Sequence, residues 1–484
     1  MSNERRILFN TAMLGAGEGL GQLTNFVLVI SFARAFGADI FGQYSVSMAV
    51  GAVAALFVGL GTQPLLIREI SRNPASSGVL LGVLIPAQVV LAVVAWLVAC
   101  EVSALLIGDT RALAVVMATC GYQILLRLAT LLLTPFQATE QMQASVIGQL
   151  GHRLLTLAFG LTAIWLGASA GTVALALVFG ALALIAFAWV QGAHLFGRPA
   201  LRFAPREALG LFRLAAPFFG LAALGVVYAR GGLIMLSALT TQSAVGLYAV
   251  VDRFMFAAAL APGAFNSAVY PALSRLARTS AVDAMVLFVR CLRLVTVGTV
   301  PLATMLTIFA GDIIGLIFGP QFLAATLALQ VLAWTLPLRG VQWLLGSQLA
   351  ALDKQSALAR ARTVGLCAFL TLTPLLILGM GFVGAAWAVL ICDGLQLGLY
   401  WRLLKSAKSA PALTMPFLAP ALAAMTTLGV SAMLLHLSLP LRLLGVCLAM
   451  GISVWATGAI RRQDLVFVRN LVNSREGLPD PPRP

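Results

Sequence analysis

Eight charged side chains sit inside stretches that are otherwise apolar: Glu18, Arg127, Arg153, Arg230, Asp252, Arg253, Arg339 and Asp393. Arg34 and Arg68 stand near the ends of two more. A charge at mid-membrane costs about 2.5–3.5 kcal/mol on insertion scales, so each needs a partner or a task. The five arginines outnumber the three acids, which leaves a positive interior suited to a wet cavity that receives an anion. A planar guanidinium makes two parallel charge-assisted bonds to phosphate, so phosphate is the anion this set suits best. For any single arginine the alternative is a structural partner, or a side chain reaching out to an interface. Arg253 has an acid beside it in Asp252, although helix neighbours diverge by about 100°. Glu18 is the one acid inside the spans of the first half, and it suits reversible H⁺ or Na⁺ binding. Its alternative is a hydrogen bond between helices.

Several chemistries are missing from the chain. It has no G-x-x-x-x-G-K-[ST] phosphate loop, no H-E-x-x-H, no G-x-S-x-G and no D-x-D. His152, His194 and His436 lie far apart in sequence. An enzyme working at a membrane surface would cluster acids or histidines there, so the expectation is no enzyme, no metal and no cofactor. The six cysteines (Cys100, Cys120, Cys291, Cys367, Cys392 and Cys447) form no C-x-x-C pair and read as small buried hydrophobes.

The elements that must position these charges are membrane spans. Of 484 residues, 61% are hydrophobic and 10% charged, with a mean hydropathy of +0.99. Soluble domains carry roughly 25% charged residues. Fourteen apolar stretches, each near the ~20 residues a helix needs to cross hydrocarbon, centre near Leu20, Ala52, Val89, Gln123, Leu154, Val178, Gly225, Ala258, Thr296, Ala333, Leu370, Leu390, Met425 and Met450. They must be helical, because backbone groups in lipid have to bond within their own segment. The net charge of +15 is explained by topology. With the N-terminus in the cytoplasm, most Lys and Arg fall on the cytoplasmic side, and only Arg34, Arg111 and Arg442 fall on the other. This bias puts both termini in the cytoplasm and argues against nucleic acid as a partner. Glu18 interrupts the first apolar run and no small-residue cleavage site follows, so a retained first span is expected rather than a signal peptide.

The chain also repeats itself. Gly42-Gln43-Tyr44, an apolar run and Ile70-Ser71-Arg72 return as Gly246-Leu247-Tyr248, an apolar run and Leu273-Ser274-Arg275, at an offset of 203 to 204 residues. Gly171-Thr172-Val173-Ala174 is echoed by Gly384-Ala385-Ala386-Trp387 at an offset of 213. Six spans separate the two starts, so the halves run parallel across the membrane. The expected fold is an all-α integral membrane protein of about 14 transmembrane helices: two parallel-repeat six-helix bundles around a central cavity, plus two extra C-terminal helices. The expected boundaries are 1–200 for the first bundle, 201–408 for the second, 409–462 for the extra pair and 463–484 for a cytoplasmic tail. The tail reads either as an amphipathic helix on the inner leaflet or as solvated chain. Gly15, Gly17, Gly19 and Gly21 in the first span, and Gly231-Gly232 in the seventh, serve either close packing or bending. Pro217 and Pro301 are candidate kinks.

Ala33-Arg34-Ala35-Phe36-Gly37, Phe41-Gly42-Gln43-Tyr44, Gly59-Leu60-Gly61 and Ile67-Arg68-Glu69-Ile70-Ser71-Arg72 resemble the N-terminal signature of polysaccharide flippases. These belong to the multidrug/oligosaccharidyl-lipid/polysaccharide (MOP) exporter superfamily. Tyr270-Pro271-Ala272-Leu273-Ser274-Arg275 supports the likeness in the second half, which extends from residue 8 to about 460. Ala33-Arg34-x-Phe36-Gly37 and Asp252-Arg253-Phe254-Met255 also resemble the lipid II flippase branch, whose corresponding arginines line the cavity and engage the lipid pyrophosphate. Gly61-Thr62-Gln63-Pro64 departs from that branch, which carries Pro-Asn and Glu-Gly-Ala elements there.

The resemblance implies a multi-pass protein of the bacterial inner membrane. It would move an undecaprenyl-pyrophosphate-linked oligosaccharide, a surface-polysaccharide repeat unit, by alternating access. By the resemblance Arg34, Arg253 and Asp252 would line the pyrophosphate path; from their place inside the spans Arg127, Arg153, Arg230 and Arg339 are expected there too. Membrane lipids, a polysaccharide polymerase and glycosyltransferases are the expected partners. The alternatives are a cation-coupled multidrug exporter of the same superfamily, a lipid II flippase, and a non-transporting scaffold of a synthase complex.

Overall fold

The computed structural model describes residues 3–407, 414–434, 436 and 438–457, with side chains from Gly17 on except those of Glu18 and residues 414–418. The side chain of Glu18 and the 463–484 tail therefore lie outside the described residues. Regular structure among the described residues is helical throughout. The helices are α1 (Asn3–Gly59), α2 (Thr62–Arg72), α3 (Ser77–Ile107), α4 (Leu113–Ala138), α5 (Met142–Trp165), α6 (Ala170–Phe196), α7 (Pro205–Leu239) and α8 (Gln242–Ala258). They continue with α9 (Leu260–Thr279), α10 (Ala281–Ile308), α11 (Ala310–Ile317), α12 (Thr326–Ala333), α13 (Thr335–Ala351), α14 (Gln355–Ser406), α15 (Thr414–Met433) and α16 (Leu439–Ala456).

Among the described residues, ten stretches are long and apolar enough to cross a membrane. Those in α1 and α14 are each two helices joined at a glycine. The polar Gln149, His152 and Arg153 dilute α5, and the apolar part of α15, Ala419–Met433, is short, so neither is among the ten. With these added, all fourteen expected centres fall on helices. Much of the exposed helix surface is apolar. On α3, Val89, Val90, Val93, Val94, Leu97 and Val98 are all exposed, as acyl chains require.

The helices form two compact units. The first takes in the described residues up to Val250 together with Ile317–Gln321. In it α4 and α6 pack tightly, α1 touches α3, α4, α5 and α7, and α2 rests on α4 and α7. The second holds Val251–Leu316 and the described residues from Phe322 on. Its core gathers Leu273, Phe288, Cys291, Leu292, Leu344, Leu345 and Leu404 from α9, α10, α13 and α14. The extra pair packs on α10 through α15, and Arg442 of α16 bonds Asp312 of α11 while lying 5.1 Å from the Phe309 ring.

Glycine sets the geometry at two kinds of place. Gly37 (φ 78, ψ 179) and Gly381 (φ 58, ψ −139) break α1 and α14 with backbone angles a side chain would resist. Phe32, Phe36, Phe41 and Tyr44 pack together across the Gly37 break. The other kind is close approach within the first unit. A Cβ on Gly42 would overlap the Gln242 carbonyl, and one on Gly246 would overlap the Ala38 carbonyl. Each glycine thus meets the carbonyl four residues before the other. Two glycines of the first span are packing sites: Gly17 meets Val146, and Gly21 lies under Arg153. Pro217 and Pro301 lie inside α7 and α10.

Candidate functional site

In the first unit, Arg127 projects from α4 toward the α1–α2 junction. Its guanidinium lies over Gly59, where a Cβ would overlap Nε. Nη1 donates to Gln63 Oε1 at 3.4 Å, and Gln63 Nε2 donates to Gln137 Oε1 at 3.2 Å. No acid joins this chain: among the described residues the half-buried guanidinium has a neutral amide as its hydrogen-bond partner. A guanidinium carries five N–H donors, so most of its capacity is left open. Beside it, Gln88 Nε2 donates to Thr62 Oγ1 at 2.9 Å, and Thr62 donates to the Gly59 carbonyl at 2.7 Å. The Gly59-Leu60-Gly61 turn makes this possible, with Leu60 (φ 44) and Gly61 (φ 77) both left-handed. On α4, Gln123, Arg127, Thr130, Thr134 and Gln137 recur at spacings of three and four residues, so they share one helix face.

The other expected arginines of this unit lie on α1, α5 and α7. Arg34 is exposed on α1, just before Gly37, and its main-chain carbonyl accepts from Gln321 Nε2 at 3.3 Å. Arg153 of α5 is half-buried over Gly21. Arg230 of α7 is half-buried next to the buried Gly231-Gly232 pair.

In the second unit, Asp252 and Arg253 of α8 are half-buried and do not pair with each other. Neither has a hydrogen-bond or ion-pair partner among the described residues. Arg339 of α13 is different: its Nε donates to Asp393 Oδ2 at 2.7 Å. Asp393 is 1% exposed, and the Gln342 amide donates to its main-chain carbonyl. Arg339 thus carries the structural partner that the sequence held open for any single arginine. Nothing in the sequence joins two residues 54 positions apart. Sequence reading also passed over Gln63, Gln137 and Gln342, because glutamine in an apolar run carries no charge to mark it. The four-residue step from Gln123 to Arg127 was the one available signal. Among the described residues no three His, Cys, Asp or Glu side chains come together as metal ligands.

The fold and these side chains define a multi-pass helical membrane protein with guanidinium groups set inside its spans. The family described as polysaccharide biosynthesis protein matches residues 7–277, more than half of the sequence, and the chain belongs to that family. A probable low-salt glycan biosynthesis flippase, Agl15 of Haloferax volcanii, is 26% identical over 203 residues. That match spans 40% of this chain and 43% of the relative, less than half of its length. Among solved structures, the inward closed conformation of the lipid II flippase MurJ is similar at a TM-score of 0.74 and 14% identity. It covers 94% of this chain and 99% of that one. The multidrug transporter DinF-BH, in complex with R6G, is similar at a TM-score of 0.57 and 15% identity, covering 86% and 98%. At these identities the likeness is one of fold.

Proposed function

We propose that this chain is a flippase for an undecaprenyl-pyrophosphate-linked oligosaccharide, the repeat unit of a surface polysaccharide. It works in the bacterial inner membrane by alternating access of its two six-helix repeats, residues 1–200 and 201–408, with residues 409–462 as the appended pair. It acts as a transporter and not as an enzyme. The observation that carries this reading is the state of the charges within the spans. The one fully buried carboxylate among the described residues is already bonded to Arg339, whereas Arg127 and Arg253 meet no acid. Guanidinium groups left in this state suit a diphosphate headgroup. The family membership and the glycan flippase among the relatives point the same way.

An energy source follows from the substrate's charge. Moving an anion out of a negative cytoplasm releases about 2.3 kcal/mol per charge for each 100 mV. The membrane potential therefore helps drive export with no nucleotide site. For topology, we place both termini in the cytoplasm. This reading is supported by Asp312 bonding Arg442 and Gln321 bonding the Arg34 carbonyl: the charge pattern puts Arg442 and Arg34 on the outer side, and with the N-terminus inside, the connection between the ninth and tenth expected spans, which holds Asp312 and Gln321, falls there too.

The test is a precursor-accessibility assay in cells that carry Arg253→Ala. A flippase leaves the lipid-linked precursor on the cytoplasmic side in this variant. A scaffold of the synthase complex tolerates the substitution, and normal outward precursor would refute the proposal.

A further inference from the structure

One buried charge is not used by the proposed function. Asp393, on the second half of α14, is the one carboxylate buried to 1% exposure among the described residues. Helix α13 grips it twice: Arg339 donates to Oδ2 at 2.7 Å, and Gln342, one turn on, donates to the main-chain carbonyl. The two side chains differ in exposure, 2% for Asp393 and 32% for Arg339. The carboxylate is the closed end of the pair and the guanidinium the open end. A carboxylate held inside a span must be neutralised, by a proton, a cation or a fixed positive group. Here a fixed group does it. An exporter coupled to Na⁺ needs a buried carboxylate that a soluble cation can reach and leave. Asp393 has the burial for that task, but its approach is filled.

We propose that Arg339 is a tethered counter-ion, occupying the place that a small alkali cation would otherwise take at Asp393. In the natural chain this carboxylate therefore binds no soluble cation. Removing the guanidinium exposes a latent site for one. The ligands would be hard oxygens: the Asp393 carboxylate, the carbonyl half of the Gln342 amide beside it, and water entering along the vacated arginine path. Such donors suit alkali and alkaline-earth ions rather than soft metals. The inference stands whatever anion the chain carries, so it does not depend on the proposed function. At this carboxylate it separates the chain from a cation-coupled exporter of the same fold.

Thermal unfolding of the purified full chain decides the matter, in NaCl and in choline chloride at equal ionic strength. Choline is too bulky to follow a vacated side-chain path. The quantity read is the Na⁺-minus-choline difference in Tm for Arg339→Ala, less the same difference for the natural chain. The expected result is a gain of several degrees that disappears when Asp393→Asn is added. The double variant should also unfold later than Arg339→Ala alone in choline, because no lone carboxylate remains. Equal Tm values for Arg339→Ala in the two salts would overturn the proposal. So would loss of folded protein in both salts, with or without Asp393→Asn, because the pair would then be a packing staple. A gain that persists in the Asp393→Asn background would overturn it too, because the cation would be binding elsewhere.

Discussion

Arg127 and Arg339 are the same residue in two environments. Both are half-buried, both stand inside membrane-spanning helices, and each belongs to a different unit. Arg339 meets a carboxylate at 2.7 Å, whereas Arg127 meets a glutamine amide at 3.4 Å. The first arginine completes a charge pair and holds α13 to α14. The second leaves its charge unmatched among the described residues, packed close over Gly59. A buried pair is weak as a source of stability but costly to break, while an unmatched cation adds no stability and is available to a ligand. Counting arginines in apolar stretches cannot tell the two apart, because the distinction lies in the partner.

The contrast fails if the two substitutions behave alike. Arg339→Ala strands a buried carboxylate and should lower unfolding stability by about 3–5 kcal/mol when no alkali cation is present, as read by chemical denaturation in choline. Asp393→Asn in the same chain should recover most of that loss. Arg127→Gln should change stability by less than about 1 kcal/mol, because its present partner is neutral. Its outward delivery of lipid-linked precursor should nevertheless fall tenfold or more, the equivalent of about 1.4 kcal/mol of lost substrate interaction. Equal stability losses from the two changes would erase the difference between the sites.

Glycine substitutions sharpen the same comparison. Gly42→Ala sets a Cβ against the Gln242 carbonyl, and backbone cannot swing aside, so a loss of about 1–3 kcal/mol is expected in the same denaturation series. Gly59→Ala sets a Cβ against the end of the flexible Arg127 side chain. It should cost less than about 1 kcal/mol of stability and still reduce precursor delivery by displacing the guanidinium. If Gly59→Ala left delivery unchanged, the position of Arg127 over that glycine would not matter to function.

Much of this was legible in the sequence, for a physical reason. Lipid demands apolar runs of a fixed length, and so all fourteen expected centres fall on helices. The repeat signature marked Gly42 and Gly246, which pack at equivalent points of one crossing. Other features depend on where a helix turns its face. The sequence left the first-span glycines open between packing and bending; Gly17 and Gly21 sit against Val146 and Arg153 of α5, and the break in α1 lies at Gly37. It offered Asp252 as a partner for Arg253, yet adjacent helix positions point apart and the two do not bond. The Arg339–Asp393 pair joins distant spans, and no local pattern announces it.

The most direct measurement is outward movement of a lipid-linked oligosaccharide in proteoliposomes holding the purified protein, with Arg127→Gln and Arg253→Gln combined. The account predicts a folded protein, with the unfolding profile of the natural chain, that leaves the precursor on the face to which it was added. Precursor crossing at the natural rate in that variant would contradict the proposal that the lipid headgroup engages guanidinium groups that meet no acid.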